Sequence, residues 1–384
     1  MVSQLSQRSD VAAFLAMDIM RDANALSAAG EDIMRLEVGQ PALAAPDEIR
    51  KAAAHALEAD RLAYTDALGM PALKARIARH YQETYGHGPD AADVIVTPGS
   101  SGGFILSFTA CFETGDKVGL AEPGYPAYRN ILKALGVEAV GIPVGPETGW
   151  QLTVDLVQEA EKKHGPLAGI MVASPANPTG TMQSPETLGA LIADCESHGR
   201  WFISDEIYHG ITFNQRAVSA AGKGDHVIVV NSFSKYYCMT GWRLGWLAVP
   251  PRVTRTIERL AQNLFISAPS LSQIAAMAAF DAQPELDRRV AGYARNRNIL
   301  LEGLPDVGIT HIAPADGAFY LYADVSNLTD DAIDFCKRML HEAKVAATPG
   351  LDFDPVRGHK FVRFSYAGAE ADMAEAVRRL KAWL

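Results

Sequence analysis

The chain has 384 residues, 48% hydrophobic and 21% charged, which excludes a disordered polymer and leaves length for one large core and a second, smaller unit. Thirty-five basic against 45 acidic residues give a net charge of -10, so nucleic-acid backbones and anionic membrane surfaces are poor partners. An anionic ligand has to be caught by a few local cations. The four cysteines, Cys111, Cys195, Cys238 and Cys336, are far apart, and the ten histidines form no HExxH-like group. Both facts point to reduced thiols in a reducing compartment and away from a structural metal. Met1 to Ala16 carries Arg8 and Asp10 and lacks a signal-peptide layout, and no run reaches the roughly 18 apolar residues of a bilayer span. The expectation is a soluble cytoplasmic enzyme.

In chain order, the first periodic segment follows Ser9 as N-cap, with Val11, Phe14, Leu15 and Ile19 on one face before Gly30 ends it. A strand over Ile33–Val38 leads into Gly39-Gln40-Pro41. Helices are predicted over Asp47–Ala59 and Pro71–Tyr85, the second opened by proline and stopped by Gly86. Short β-rich runs then recur at Val94–Thr97, Val118–Ala121, Ala139–Pro143, Gly169–Ala173, Trp201–Asp205, Val227–Asn231 and Leu244–Val249. Helical stretches lie between most of them, one opened by Ser184-Pro185-Glu186 and closed at Gly199. This alternation predicts an α/β fold with a mainly parallel seven-stranded sheet between helices. Beyond Ala282 a long helix over Pro284–Leu304, strands at Phe319–Val325 and Val362–Tyr366 and a final amphipathic helix predict a smaller α+β unit. The expected division is 46–283 for the large unit, and 1–45 with 284–384 for the small one.

Four motifs sit directly after predicted strands, where open α/β sheets bind ligands. Ser232-Phe233-Ser234-Lys235 precedes Arg243 by eight residues: a lysine in low dielectric becomes a nucleophilic amine, and two hydroxyls with an arginine suit a phosphate. Alone, this stretch is equally read as a solvated loop. Asp205 ends a hydrophobic strand three residues before Tyr208; such an acid either pairs with a protonated ring nitrogen or serves as a structural cap. Asn177-Pro178-Thr179-Gly180 is a turn that also suits a cis peptide. Thr97-Pro98-Gly99-Ser100-Ser101-Gly102-Gly103 makes a Gly/Ser-rich cradle at a helix N-terminus.

The set, in this order and spacing, resembles the fold-type-I pyridoxal-phosphate enzymes, specifically the class I/II aminotransferase family, from about Ile33 to the C-terminus. The resemblance implies pyridoxal 5'-phosphate as cofactor, with Lys235 joined to its aldehyde and later moving the proton at the substrate Cα. It implies Asp205 on the pyridine nitrogen, and Asn177 and Tyr208 on the phenolate oxygen. Tyr125, in Glu122-Pro123-Gly124-Tyr125-Pro126, would stack on the ring. Ser100, Ser101, Ser232, Ser234 and Arg243 would hold the phosphate. Tyr64 would reach the phosphate of a partner subunit, which makes the expected assembly a homodimer. Arg363, in Phe361-Val362-Arg363-Phe364-Ser365, would grip the substrate α-carboxylate with the Gly39 N–H, because a planar fork fixes a carboxylate bidentately; without Lys235 it reads as a sheet-edge ion pair. Phe14, Leu15 and Ile19 either line the mouth or pack on the core, and Phe319 is equally open.

The implied reaction moves an amino group between an L-amino acid and a 2-oxo acid, with glutamate/2-oxoglutarate expected as one couple. One branch of the family places a distal-carboxylate lysine where this chain has Ser101, which favours neutral or aromatic donors over aspartate. A β-lyase acting on cystathionine or a similar substrate shares the same motifs. A non-catalytic pyridoxal-phosphate-binding regulator would need an appended DNA-binding module, for which this acidic chain has no spare length.

Overall fold

The computed structural model describes residues 4–384. Seven strands form the principal sheet: β1 (Val94–Thr97), β2 (Lys117–Glu122), β3 (Glu138–Pro143), β4 (Gly169–Ala173), β5 (Trp201–Asp205), β6 (Val227–Ser232) and β7 (Gly245–Ala248). Their spatial order is β1-β7-β6-β5-β4-β2-β3. Neighbours from β3 to β6 are parallel, and β7 alone runs antiparallel to β6 and β1. Every residue of β6 is buried, as its unbroken Val-Ile-Val-Val run requires of a strand covered on both faces. Alternate side chains feed opposite layers: Ile228 and Val230 belong to one core cluster with Phe104, Phe108 and Ile257, and Val229 to the other with Ile77, Leu191 and Trp246.

Local signals set several boundaries. The helices α2 (Asp47–Ala59) and α3 (Pro71–Tyr85) occupy the expected spans. The latter ends where Gly86 takes φ +73°, a left-handed conformation that glycine adopts without a Cβ clash. The Ser184 hydroxyl caps the helix Pro185–Ser197 by accepting from the Thr187 N–H.

A second, antiparallel sheet has the order Thr348–Pro349, Phe361–Ser365, Tyr320–Asp324, His311–Ile312. Met34–Arg35 pairs in parallel with Val345–Ala346, which ties a segment near the N-terminus to the C-terminal part of the chain. Among the described residues no helix is long and apolar enough to cross a membrane.

Two expectations near the N-terminus are corrected. The first long helix, α1, spans Leu15–Ala28; Ser9 lies in a short 3-10 turn and Val11 is exposed outside any helix. Its N-terminus is capped by the Asp352 carboxylate, which accepts from the Leu15 and Ala16 N–H groups, both at 3.0 Å, so the start is set by a residue far along the chain. The strand expected over Ile33–Val38 shrinks to Met34–Arg35, the only residues with a ladder partner.

The turn after β6 is anchored by Phe233. Its fully buried ring lies 4.9 Å from Trp246, 5.1 Å from Tyr237 and 5.7 Å from Phe280. Phe233→Ala is expected to lower unfolding free energy by about 3–5 kcal/mol, read as a reduced urea midpoint at unchanged slope.

Candidate active site

The carboxyl ends of five parallel strands converge on a cavity of about 570 Å³. Gly99 to Ser101 follow β1, Tyr125 follows β2, Asn177 follows β4, Asp205 ends β5, and Lys235 follows β6. Arg363 enters from the second sheet, and Gly39 from the segment after Arg35. Of the side chains and N–H groups expected to bind cofactor or substrate carboxylate, all but Ser232 and Tyr64 line this cavity.

Ser232 is buried one layer behind. Its hydroxyl donates to the Leu244 carbonyl (3.0 Å), accepts from the Ser234 N–H (3.0 Å) and lies 2.8 Å from Ser234 Oγ, so it orients Ser234. Tyr64 is 82% exposed and sits by a separate surface hollow with Arg61 and Ser267–Ser270.

The charged groups are held unusually dry. Lys235 is half-buried, and its Nζ donates to the Gly39 carbonyl at 2.6 Å. Burial, then the Arg363 and Arg243 guanidinium groups, lower its pKa to about 8, and Asp205 partly opposes them. Asp205 accepts from the Tyr128 hydroxyl and from the Ile207 N–H. Burial raises its pKa to about 6, against the pull of those two donors.

Arg363 is 4% exposed and forms no salt bridge among the described residues. It donates to Asn177 Oδ1 (3.0 Å), the Glu37 carbonyl (2.7 Å) and Thr348 Oγ1 (3.2 Å), while its Nε has no acceptor. Its guanidinium carbon lies 4.5 Å from the Tyr320 ring centroid and 4.7 Å from that of Phe353. The sheet-edge ion pair is thereby replaced by an open cation. Because Arg363 takes the Asn177 oxygen, the amide NH₂ of Asn177 remains to donate to another acceptor.

Several cavity residues have no sequence signal of their own. Tyr128 matters because it meets Asp205 across 77 positions, and Tyr320 because its hydroxyl is 2.7 Å from that of Tyr208. Asp352 and Phe353 arrive by tertiary contact. Phe14, Met17 and Met20 line the mouth, whereas Ile19 is buried in the core; Leu15 does not face the cavity, and Phe319 is a core residue against Tyr208.

The donor set fits pyridoxal phosphate. The helix α4 (Gly99–Cys111) begins with no side-chain cap, leaving its first N–H groups beside Ser234 and Arg243 for a phosphate. Gly99 has φ +75°, and a Cβ there would stand 2.3 Å from Arg243 Nη2, so the cradle requires glycine. The buried acid, the dry lysine and the phosphate cradle occupy one chamber.

This is the architecture of a fold-type-I pyridoxal-phosphate enzyme, and the chain belongs to the family described as aminotransferase class I and II, whose pattern matches residues 31–380. It is a pyridoxal-phosphate-dependent aminotransferase acting on amino acids and 2-oxo acids. Across its whole length it is 47% identical to a valine–pyruvate aminotransferase of Mycobacterium tuberculosis, covering 99% of that protein. Over 98% of the chain and 96% of the relative it is 32% identical to an arginine–pyruvate transaminase of Pseudomonas aeruginosa. The crystal structure of an aminotransferase from Mycobacterium tuberculosis superposes with a TM-score of 0.97 at 47% identity, covering 100% of this chain and 99% of that one.

Gly99→Ala is expected to raise the cofactor dissociation constant at least about tenfold, since the new methyl displaces Arg243 from the cradle and the backbone must hold a left-handed φ. Equilibrium titration of the apoprotein, with circular dichroism confirming an intact fold, checks this.

Proposed function

We propose that the enzyme takes the amino group of a neutral, apolar or aromatic L-amino acid, passes it to a 2-oxo acid, and accepts pyruvate in preference to 2-oxoglutarate. The observation that carries this reading is the buried Arg363 guanidinium without a carboxylate partner, facing the same cavity as Lys235. A fork of this kind binds one carboxylate, the α-carboxylate, and thereby fixes the Cα substituents. The lining cations are Lys235, Arg243 and Arg363. With Arg243 beside the phosphate cradle and Lys235 at the amine, no lining cation among the described residues remains for a second substrate carboxylate. That argues against glutamate/2-oxoglutarate as the preferred couple. Phe14, Met17 and Met20 offer apolar surface instead, and both relatives above carry pyruvate in their names.

The bound cofactor supplies an aldehyde for amines and a ring that accepts the electron pair released at Cα. Lys235, neutral over an accessible pH range, takes the proton from Cα and returns it. Asp205, held by the Tyr128 hydroxyl and the Ile207 N–H, would take the pyridine nitrogen. Asn177 and Tyr208 would hold the phenolate oxygen, with Tyr320 orienting the Tyr208 hydroxyl. Tyr125 would pack on the ring. Ser100, Ser101, Ser234 and Arg243 would hold the phosphate, with Ser232 supporting from behind. The Gly39 N–H assists Arg363 on the substrate carboxylate.

We read the chain as two units, 46–283 and 1–45 with 284–384, the first supplying Lys235 and Asp205, the second Gly39 and Arg363. A homodimer completes the proposal, with Tyr64 donating to the partner's phosphate site. Its support is the exposure of Tyr64 beside a surface hollow lined by Arg61 and Ser267–Ser270.

A donor panel of valine, leucine, phenylalanine, aspartate and glutamate, each with pyruvate and with 2-oxoglutarate, tests the assignment. Apolar donors are expected to exceed aspartate by about tenfold or more in kcat/KM, the scale of an unmatched buried charge. Aspartate or glutamate with 2-oxoglutarate as the best couple would overturn the substrate reading. Ammonia and pyruvate from a β-substituted amino acid without acceptor would favour the lyase. Lys235→Ala is expected to abolish turnover and the visible absorption of the bound cofactor together.

The amine of Lys235 is protonated below about 8 and neutral above it. At pH 7.5 it therefore carries on the order of two hundred times more free amine than an ordinary lysine. The rate at which apoprotein captures pyridoxal phosphate should rise from pH 7 to 9 with a midpoint near 8, measured by stopped-flow absorbance.

A further inference from the structure

The loop Gly350–Asp354 makes three attachments at once. Its Phe353 ring stacks on Arg363 at 4.7 Å. Its backbone is tied to the turn that carries Tyr125: the Phe353 carbonyl accepts from the Gly124 N–H (3.0 Å), and the Asp352 carbonyl from Arg129 Nη2 (2.5 Å). Its Asp352 side chain, 4% exposed, uses both oxygens to cap α1, Oδ1 toward Leu15 N–H and Oδ2 toward Ala16 N–H.

No other side chain caps this helix, since Phe14 stands at the N-cap position. The chain before it has only light anchors: Asn130 Nδ2 donates to the Ala12 carbonyl at 3.2 Å, and Lys133 pairs with the exposed Asp10 at 3.2 Å. Phe14 stacks on Tyr125 with centroids 6.0 Å apart. Met17 lines the cavity yet is 54% exposed, an apolar surface that a ligand in the cavity would cover.

We propose that Asp352 is a positioning residue: by capping α1 it seats Phe14, Met17 and Met20 as the wall for the substrate side chain, and so sets the discrimination between large and small apolar donors. The inference rests on the neutral-donor reading above. Once Arg363 holds the α-carboxylate and the amine lies at Lys235, the remaining Cα substituent is left to that wall. Asp352 also lies close enough to Arg363 for the two charges to influence each other. Removing it changes carboxylate binding for every donor alike, so the informative quantity is a ratio between donors that share the same α-carboxylate.

The test uses holoenzyme carrying Asp352→Ala or Asp352→Asn. The readouts are the leucine-to-alanine ratio of kcat/KM and hydrogen–deuterium exchange of the Leu15–Ile19 amides. For Asp352→Ala the ratio is expected to fall about tenfold, the fold-change of a lost cap, and the first-turn amides to exchange at least about tenfold faster. Asp352→Asn, which keeps a neutral acceptor, should fall between the two. A folded Asp352→Ala enzyme with wild-type exchange overturns the capping role; faster exchange at an unchanged ratio overturns the specificity role. Should Asp352→Ala fail to fold, Asp352→Asn is read in the same way. Met17→Ala must then lower the ratio without altering exchange, and an unchanged ratio overturns the wall. If the wild type prefers acidic donors, the neutral-donor reading fails, while the exchange measurement still decides the cap.

Discussion

Burying a guanidinium that has no salt bridge among the described residues is the constraint on which the rest of this site depends. Removing such a charge from water is unfavourable by several kcal/mol unless dipoles or counter-charges replace the lost hydration. Here the Glu37 carbonyl, Asn177 and Thr348 supply dipoles, and the Tyr320 and Phe353 rings supply negative faces. The nearby acid is not used for neutralisation: the Glu37 carboxylate turns to Arg35 at 2.6 Å, and only its carbonyl meets Arg363. The positive charge is stabilised but not cancelled, which leaves it free for the substrate carboxylate assigned to it above. The same charge, after burial itself, holds the Lys235 amine below its ordinary pKa. On the proposed reading, substrate anchoring and amine activation would share one cause.

The opposite edge of the chamber reverses the signs. Two adjacent acids end β5 and enter the turn beyond, and their surroundings divide them. Asp205 faces the cavity, with two donors limiting its rise to about 6. Glu206 is buried away from the cavity, where Ser204, Ser219 and the Ala220 N–H donate to it, and burial lifts it to about 7. Adjacent identical chemistry therefore has two uses. One carboxylate is left one partner short, ready for a cation, and the other is satisfied by the fold and stitches the turn that presents Tyr208.

What was legible in the sequence follows from how local each determinant is. The spans of α2 and α3 agree with expectation because proline, glycine and acidic first-turn residues act within one helical turn. The strands of the large sheet differ by a residue or so because their apolar runs are bounded by turn residues. Lys235, Asp205, Asn177 and Arg243 could be found because each follows a strand that delivers it to the same edge. Tyr128, Tyr320, Asp352 and Phe353 could not, since each acquires meaning only from a partner brought near by folding. The misplaced start of α1 has the same origin: Ser9 has the right chemistry for a cap, but a carboxylate 337 positions beyond Leu15 takes the role.

That difference in range separates two kinds of recognition within one cavity. The groups that every amino acid requires, for its amine, its α-carboxylate and the proton on Cα, are rooted in hydrogen-bonded strands or directly beside them, where packing leaves little freedom to move. On the proposed reading, the variable side chain would meet Phe14, Met17 and Met20, at and just after the start of α1, a helix with no cap from its own first residues and little buried surface ahead of it. Changing Phe14, Met17 or Met20 alters no strand, no buried charge and no donor to Asp205. A fold arranged in this way can exchange one substrate side chain for another through its least constrained helix while the reacting groups stay fixed.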